Sequence, residues 1–193
     1  VGSEMCIRDR VVAADANSSY LERLSSNFSN NPNVRTFNLD LENSDEILKL
    51  GEHRFDTIVC VNVIEHLKPD EDVFRSFFDI LEPGGRAIIL APQGKWLYGS
   101  IDKALDHHRR YSRSELRQKM EHAGFEIEDI LGINRVAPPF WFINGRVLRR
   151  SSVPGTQVRF FDRLVPLIKI FDGSLPLPPL SIIAIGRKAN GES

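Results

Sequence analysis

Two short apolar runs, each cut off by a polar residue or a proline, constrain this chain more than any other feature. Thr57-Ile58-Val59-Cys60-Val61 stops at Asn62, and Ala87-Ile88-Ile89-Leu90-Ala91 stops at Pro92. Neither run alternates apolar with polar residues, so each reads as a parallel strand buried on both faces. Between them, Val73, Phe74, Phe77, Phe78 and Leu81 recur at helical spacing over residues 71–81. Glu82-Pro83-Gly84-Gly85 then makes a tight turn into the strand 86–91. A strand, a crossover helix and a second parallel strand form the repeating unit of a doubly wound sheet. In such sheets chemistry collects beyond the carboxyl ends of the strands. Asn62, Glu65, His66 and Pro92 are therefore placed at a cleft.

The same alternation runs along the rest of the chain. Val11–Asp15 is a short strand ending in an acid. Ser18 or Ser19 starts a helix over Tyr20–Asn27, and Asn30-Asn31-Pro32-Asn33 is a turn cluster. Val34–Leu39 is a strand ending at Asp40, and a helix over residues 44–50 leads through Gly51 to the strand at Thr57. After Pro92 a polar and aromatic loop spans Gln93–Tyr111. Ser112-Arg113-Ser114-Glu115 is a capping box that opens a helix to His122, with Gly124 as its stop. Strands follow at Phe125–Ile133 and Leu180–Arg187, separated by a Pro-rich, aromatic insertion over residues 135–179. The fold class is α/β, a doubly wound and mostly parallel sheet with helices on both faces.

With 193 residues the chain suits one core and not two. Its formal net charge of −1 gives no reason to expect nucleic acid as a partner. Two cysteines, Cys6 and Cys60, make no disulfide framework, and no apolar run is long enough for a membrane-spanning helix, so a cytoplasmic setting is expected. Residues 1–10 have neither a strand nor a helix period. They resemble translated adapter sequence, which sets the expectation of a non-native or disordered leader on an amino-terminally truncated chain. Residues 189–193 read as a frayed tail.

The bend Asn62-Val63-Ile64-Glu65-His66-Leu67 and the stretch Leu81-Glu82-Pro83-Gly84-Gly85 through Pro92 resemble the segments after the fourth strand and around the fifth strand of class I S-adenosylmethionine (SAM) methyltransferases. This resemblance covers most of the chain. It implies a SAM-dependent methyltransferase with a Rossmann-like core over residues 11–134, completed by a final strand at 180–188 that runs antiparallel to its neighbours. It also implies that the family's first strand and glycine-rich turn are missing, since no Gly-x-Gly-x-Gly occurs in the chain. On that ground the fragment is expected to bind SAM poorly and to be inactive.

The resemblance assigns roles residue by residue. Asp15, with Ala16, matches the acid that holds the ribose hydroxyls, and Asp40, with Leu41, matches the position that contacts adenine. Either aspartate alone is equally well a turn residue. Asn62 and Val63 match the loop at the methionine end of SAM. His66 has the titration range of a general base, with a loop-stabilising role for Glu65 and His66 as the alternative. Leu97-Tyr98-Gly99-Ser100-Ile101-Asp102 and Asp106-His107-His108-Arg109-Arg110-Tyr111 resemble the acceptor-side loop of a subgroup of bacterial methyltransferases. Tyr98, Asp102, Arg110 and Tyr111 are the acceptor-binding candidates there, and His107 is a second candidate base. The competing reading is a salt-bridged loop that docks the helix beginning at Ser112. Adjacent His107 and His108 do not easily face one ion and no cysteine joins them, so no metal is expected.

Residues 135–179 carry seven basic side chains against two acidic ones, interleaved with Pro138-Pro139-Phe140-Trp141-Phe142. That mixture suits a lid over a small-molecule, lipid-precursor or glycan acceptor, or peripheral contact with a membrane surface. Two other functions stay open. One is a non-catalytic, methyltransferase-like binding module. The other is an NAD(P)-dependent oxidoreductase, against which the Glu-Pro-Gly-Gly turn before an apolar strand argues.

Overall fold

The computed structural model describes residues 10–190, so most of the expected leader and the end of the tail lie outside the described residues. Strand β1 (Val11–Asp15) leads into helix α1 (Ser18–Asn27), and β2 (Val34–Asn38) pairs with β1 in parallel, Val11 opposite Val34. The cap of α1 is Asn17, not a serine: its side chain accepts from the Ser19 backbone N–H and so satisfies one of the helix's free donors. Helix α2 (Ser44–Lys49) continues as a 3₁₀ turn and delivers the chain to β3 (Phe55–Val61).

Helix α3 (Asp70–Ile80) buries Val73, Phe74, Phe77 and Ile80 on one face, as the helical spacing requires. The expected tight turn after it is instead drawn into strand β4 (Leu81–Pro92). Phe55 pairs with Leu81 and Thr57 with Arg86, so residues 82–85 form an extra-residue bulge in the ladder. Gly84 takes φ +80° there, a conformation that a side chain would strain. The segment after Pro92 is also not a plain loop, because it contains a 3₁₀ turn at Lys95–Leu97 and helix α4 (Ser100–Ala104). Helix α5 (Arg113–His122) opens on the expected capping box. The Ser112 hydroxyl accepts from the Glu115 N–H at 3.2 Å, and Glu115 accepts from the Ser112 N–H at 3.5 Å. Gly124, at φ +108°, ends it.

Strand β5 (Glu126–Ile133) is followed by a short helix α6 (Pro138–Phe142), a π-helical turn, helix α7 (Gly155–Phe171) and strand β6 (Ser181–Arg187). β6 lies between β4 and β5 and is antiparallel to both, giving the order β3-β4-β6-β5. The core fills one side of this sheet. Phe74, Phe77, Leu116 and Met120 of α3 and α5 meet Ala87, Ile89, Ala91, Ile182 and Ala184. Full burial of each large apolar side chain there is worth about 1.5–3 kcal/mol.

β3 departs from the expectation of burial on both faces, since Val59 is 61% and Val61 52% exposed. Among the described residues no strand pairs with its outer edge, and β1–β2 stands as a separate two-stranded sheet. The helices that cover Cys60 on the inner face do not reach round to these valines. Among the described residues no helix is long and apolar enough to cross a membrane.

Candidate active site

The carboxyl ends of the strands gather the polar residues that the sequence singled out. After β3 the chain turns sharply at Asn62, whose φ of 51° is one that asparagine tolerates better than other side-chain-bearing residues, and the Asn62 N–H is tied to the Leu90 carbonyl at 2.9 Å. A 3₁₀ turn over Ile64–His66 then throws Glu65 inward. The loop after β2 is fastened to the same place, because the Lys68 N–H donates to Glu42 at 3.0 Å. Asp15 ends β1, and Asp40 stands just beyond the end of the adjacent parallel strand β2. Both are exposed, and each accepts from a backbone N–H two residues on, that of Asn17 at 2.7 Å and that of Glu42 at 2.9 Å.

The loop after β4 is organised around one buried carboxylate. Asp102 is fully enclosed, and its two oxygens accept from four groups: the Arg110 Nε at 2.6 Å, the His107 Nδ1 at 3.2 Å, the Gly99 N–H at 2.9 Å and the Trp141 indole at 3.3 Å. Burial alone would raise its pKa. The His107 hydrogen bond, the Arg110 charge and the Gly99 N–H outweigh that and hold it below the usual aspartate range. Arg110 also donates to the Gln93 carbonyl at 3.0 Å, and its guanidinium lies 4.8 Å from the Trp141 ring centre. Segment 135–179 is thus joined to the loop. Besides Trp141, Arg146 donates to the Tyr98 carbonyl, and the Ser100 hydroxyl donates to the Gly145 carbonyl.

A second knot sits behind the first. Tyr111 is fully buried and its hydroxyl donates to Asp70 at 2.8 Å, while Arg109 and Lys119 reach the same carboxylate at 2.7 and 3.0 Å. Burial opposes ionisation of Asp70, yet the hydrogen bonds from Lys119, Tyr111 and Arg109 bring its pKa below the ordinary value. Asp102, Arg110 and Tyr111, taken from the sequence as acceptor contacts, therefore face inward and brace the loop. The docking alternative describes their geometry better. Tyr98 and Arg110 do border a surface cavity of about 490 Å³, together with Lys95, His108, Arg109 and Glu115. A smaller cavity of about 290 Å³ lies at the amino end of β4 and touches none of these groups.

His107 comes together with the adjacent pair Glu65 and His66, from which about forty residues separate it in the chain. The two rings meet edge to face at 4.7 Å, and His107 Nε2 lies 3.8 Å from a Glu65 oxygen. Glu65 is fully buried, and among the described residues neither carboxylate oxygen has a hydrogen-bond partner. Its pKa is raised, chiefly by burial, and that of His66 is lowered, chiefly by burial and next by His107. Burial also pushes the Cys60 thiol up to about 12, with Glu65 adding to the effect, so this cysteine is inert. Burial and the neighbouring His107 ring favour the uncharged imidazole at His66, while the His107 ring is held at Nδ1 by Asp102 with its Nε2 facing Glu65.

The sequence did not reveal Trp141 as a donor to Asp102 or Asp70 as the anchor of Arg109 and Lys119. The only sign of the first was the aromatic cluster inside the basic segment.

Residues 3–130 match the family model of the methyltransferase domain. A protein of Mycolicibacterium smegmatis named as an S-adenosylmethionine-dependent methyltransferase is 34% identical over 88 residues, which are 45% of this chain and 34% of that protein. A ubiquinone biosynthesis O-methyltransferase of Xanthomonas euvesicatoria is 26% identical over 92 residues, 41% of this chain and 38% of that protein. The chain thus spans little more than a third of the length of the curated relatives it matches. The crystal structure of a SAM-dependent methyltransferase from Archaeoglobus fulgidus superposes with a TM-score of 0.58 at 15% identity, covering 92% of this chain and 75% of that one. With the order of its strands and the antiparallel β6, this chain belongs to the methyltransferase-domain family.

Proposed function

We propose that this chain carries the cofactor-binding and acceptor-side elements of a SAM-dependent methyltransferase acting on a small-molecule, lipid-precursor or glycan acceptor. The observation that supports this best is the series of polar tips after successive strands: Asp15 after β1, Asp40 after β2, and the left-handed bend at Asn62 after β3. Among the described residues the two carboxylates hold only their own turns, which leaves lone pairs for a ligand. Asp15 with Ala16 would receive the ribose hydroxyls, Asp40 with Leu41 the adenine, and Asn62 with Val63 the amino-acid end. Bound SAM supplies an electrophilic methyl group on sulfur.

The residues of the chain then have three tasks. They orient the acceptor nucleophile, exclude water and take up the acceptor's proton. His66 or His107 would accept that proton at a ring nitrogen. Tyr98 borders the acceptor side, with Asp102, Arg110 and Tyr111 fixing the loop from behind. A relative named for ubiquinone biosynthesis favours an acceptor with lipid character. So does the exposure of Phe142, Ile143, Val147 and Leu148 beside Arg146, Arg149 and Arg150. Sedimentation with anionic liposomes tests that contact, and equal recovery with and without lipid would remove it.

The chain has no Gly-x-Gly-x-Gly, so weak SAM binding is expected of these 193 residues. Saturation-transfer NMR at millimolar SAM should show contact to the adenosyl protons, lost in Asp15→Ala and Asp40→Ala and not displaced by NAD. Unchanged contact in both variants, or displacement by NAD, would overturn the assignment. Micromolar affinity would overturn only the expectation of weak binding.

A further inference from the structure

We propose that Glu65, His66 and His107 form a binding site for one divalent first-row transition-metal cation of the Zn²⁺ class, with two imidazole nitrogens and one carboxylate oxygen as protein ligands. One ligand atom from each residue lies within 4.8 Å of the other two. The Glu65 side chain is 1% exposed, and both of its oxygens lack a hydrogen-bond partner among the described residues. An enclosed carboxylate without donors is costly, and buried charges in proteins are paired or bind metal. The neighbouring cation does not fill that need, because Arg110 is committed to Asp102 and to the Gln93 carbonyl.

The His107 imidazole is held from behind. His107 Nδ1 lies 3.2 Å from Asp102, which leaves Nε2 directed to the Glu65 side at 3.8 Å. A carboxylate or carbonyl on the far nitrogen fixes tautomer and ring orientation, and metal-ligating histidines nearly always have one. In a tetrahedral site with bonds of about 2.0–2.2 Å, ligand atoms stand about 3.3 Å apart, so side-chain rotations moving atoms by about 1 Å complete the site. A set of two nitrogens and one oxygen suits zinc and its neighbours better than magnesium or calcium, which take oxygen. Three protein ligands leave a position open for water or for an oxygen or nitrogen of a bound molecule.

The sequence argument against a metal considered the adjacent pair His107 and His108. The fold answers it by recruiting His66 as the second imidazole, while His108 is exposed on the cavity wall. The site does not depend on the assignment of SAM, and while a metal is bound neither ring keeps a free nitrogen for the proton-accepting role proposed above.

The test is equilibrium dialysis of the metal-stripped chain against micromolar Zn²⁺, read by elemental mass spectrometry. One equivalent is expected, weakened at least tenfold in Glu65→Gln and in His107→Gln and retained in His108→Gln. Anomalous diffraction at the zinc edge on the unaltered chain reads the ligands without any variant. A peak bonded to Glu65, His66 and His107 is expected. No stoichiometric uptake, uptake that persists in the Glu65→Gln variant, or a peak on other residues would overturn the proposal.

Discussion

The two sheets of this molecule carry their functional residues in opposite ways. On β1–β2, Asp15 and Asp40 stand exposed at strand tips, and few side chains beneath them are buried; Leu21, Leu39 and Ile47 are those of the surrounding segments. Beside the four-stranded sheet, Asp70 of α3 and Asp102 of α4 are buried and saturated, Asp70 by Tyr111, Arg109 and Lys119 and Asp102 by Arg110, His107, Trp141 and the Gly99 N–H, and Ile89, Ala91, Ile182 and Ala184 of the sheet are sealed from solvent. Among the described residues the first pair of acids holds its own turns alone and stays exposed. The second pair is spent on structure and is costly to disturb. The difference teaches that an acid at a strand end is a ligand contact only where the fold leaves its lone pairs unclaimed.

Hydrogen exchange should show the widest separation. Amides of Ile88–Leu90 are expected to be protected close to the global unfolding limit, and those of Val12–Ala14 to exchange orders of magnitude faster. Equal protection would erase the contrast. Asp102→Ala leaves the Arg110 guanidinium buried and unpaired and should cost about 3–5 kcal/mol in urea unfolding. A loss below about 1 kcal/mol would show that the knot does not hold the loop.

Asp70→Asn should cost about 2 kcal/mol at pH 7, because the donors of Lys119, Arg109 and Tyr111 lose a charged acceptor. Its folded pKa lies below the unfolded value of about 3.9, so this contribution is present above that pH and is lost as the pH falls through the folded value. Thermal melts of the two proteins should therefore converge on acidification below about pH 4. Ser112→Ala removes the cap of α5 and should cost about 1 kcal/mol. Asp15→Ala should change stability by about 0.5 kcal/mol or less, since it deletes one exposed turn contact. A large loss there would mean that the β1–β2 acids are structural after all.

Residues with a local physical signature were legible in the sequence. Unbroken apolar runs and helical spacing marked the strands and the helices α1, α2, α3 and α5 to within a few residues, because burial selects apolar side chains and, on a helix, imposes a period. The capping box at Ser112 and the stop at Gly124 were legible because both are settled by neighbours three or fewer residues away. Local turn chemistry also explains the misses. The serines after Asn17 looked like caps until the Asn17 side chain took that place, and the Glu82–Gly85 turn became a bulge because β3 pairs on both sides of it.

Which polar groups face a ligand was decided by tertiary structure alone. Nothing near Asp102 in the chain foretells the indole of Trp141, and nothing near Glu65 foretells that His107 will stand opposite it without satisfying it. Hydrogen bonding and desolvation depend on what lies within about 3–4 Å in space. Those neighbours come from loops that only the packed sheet brings together.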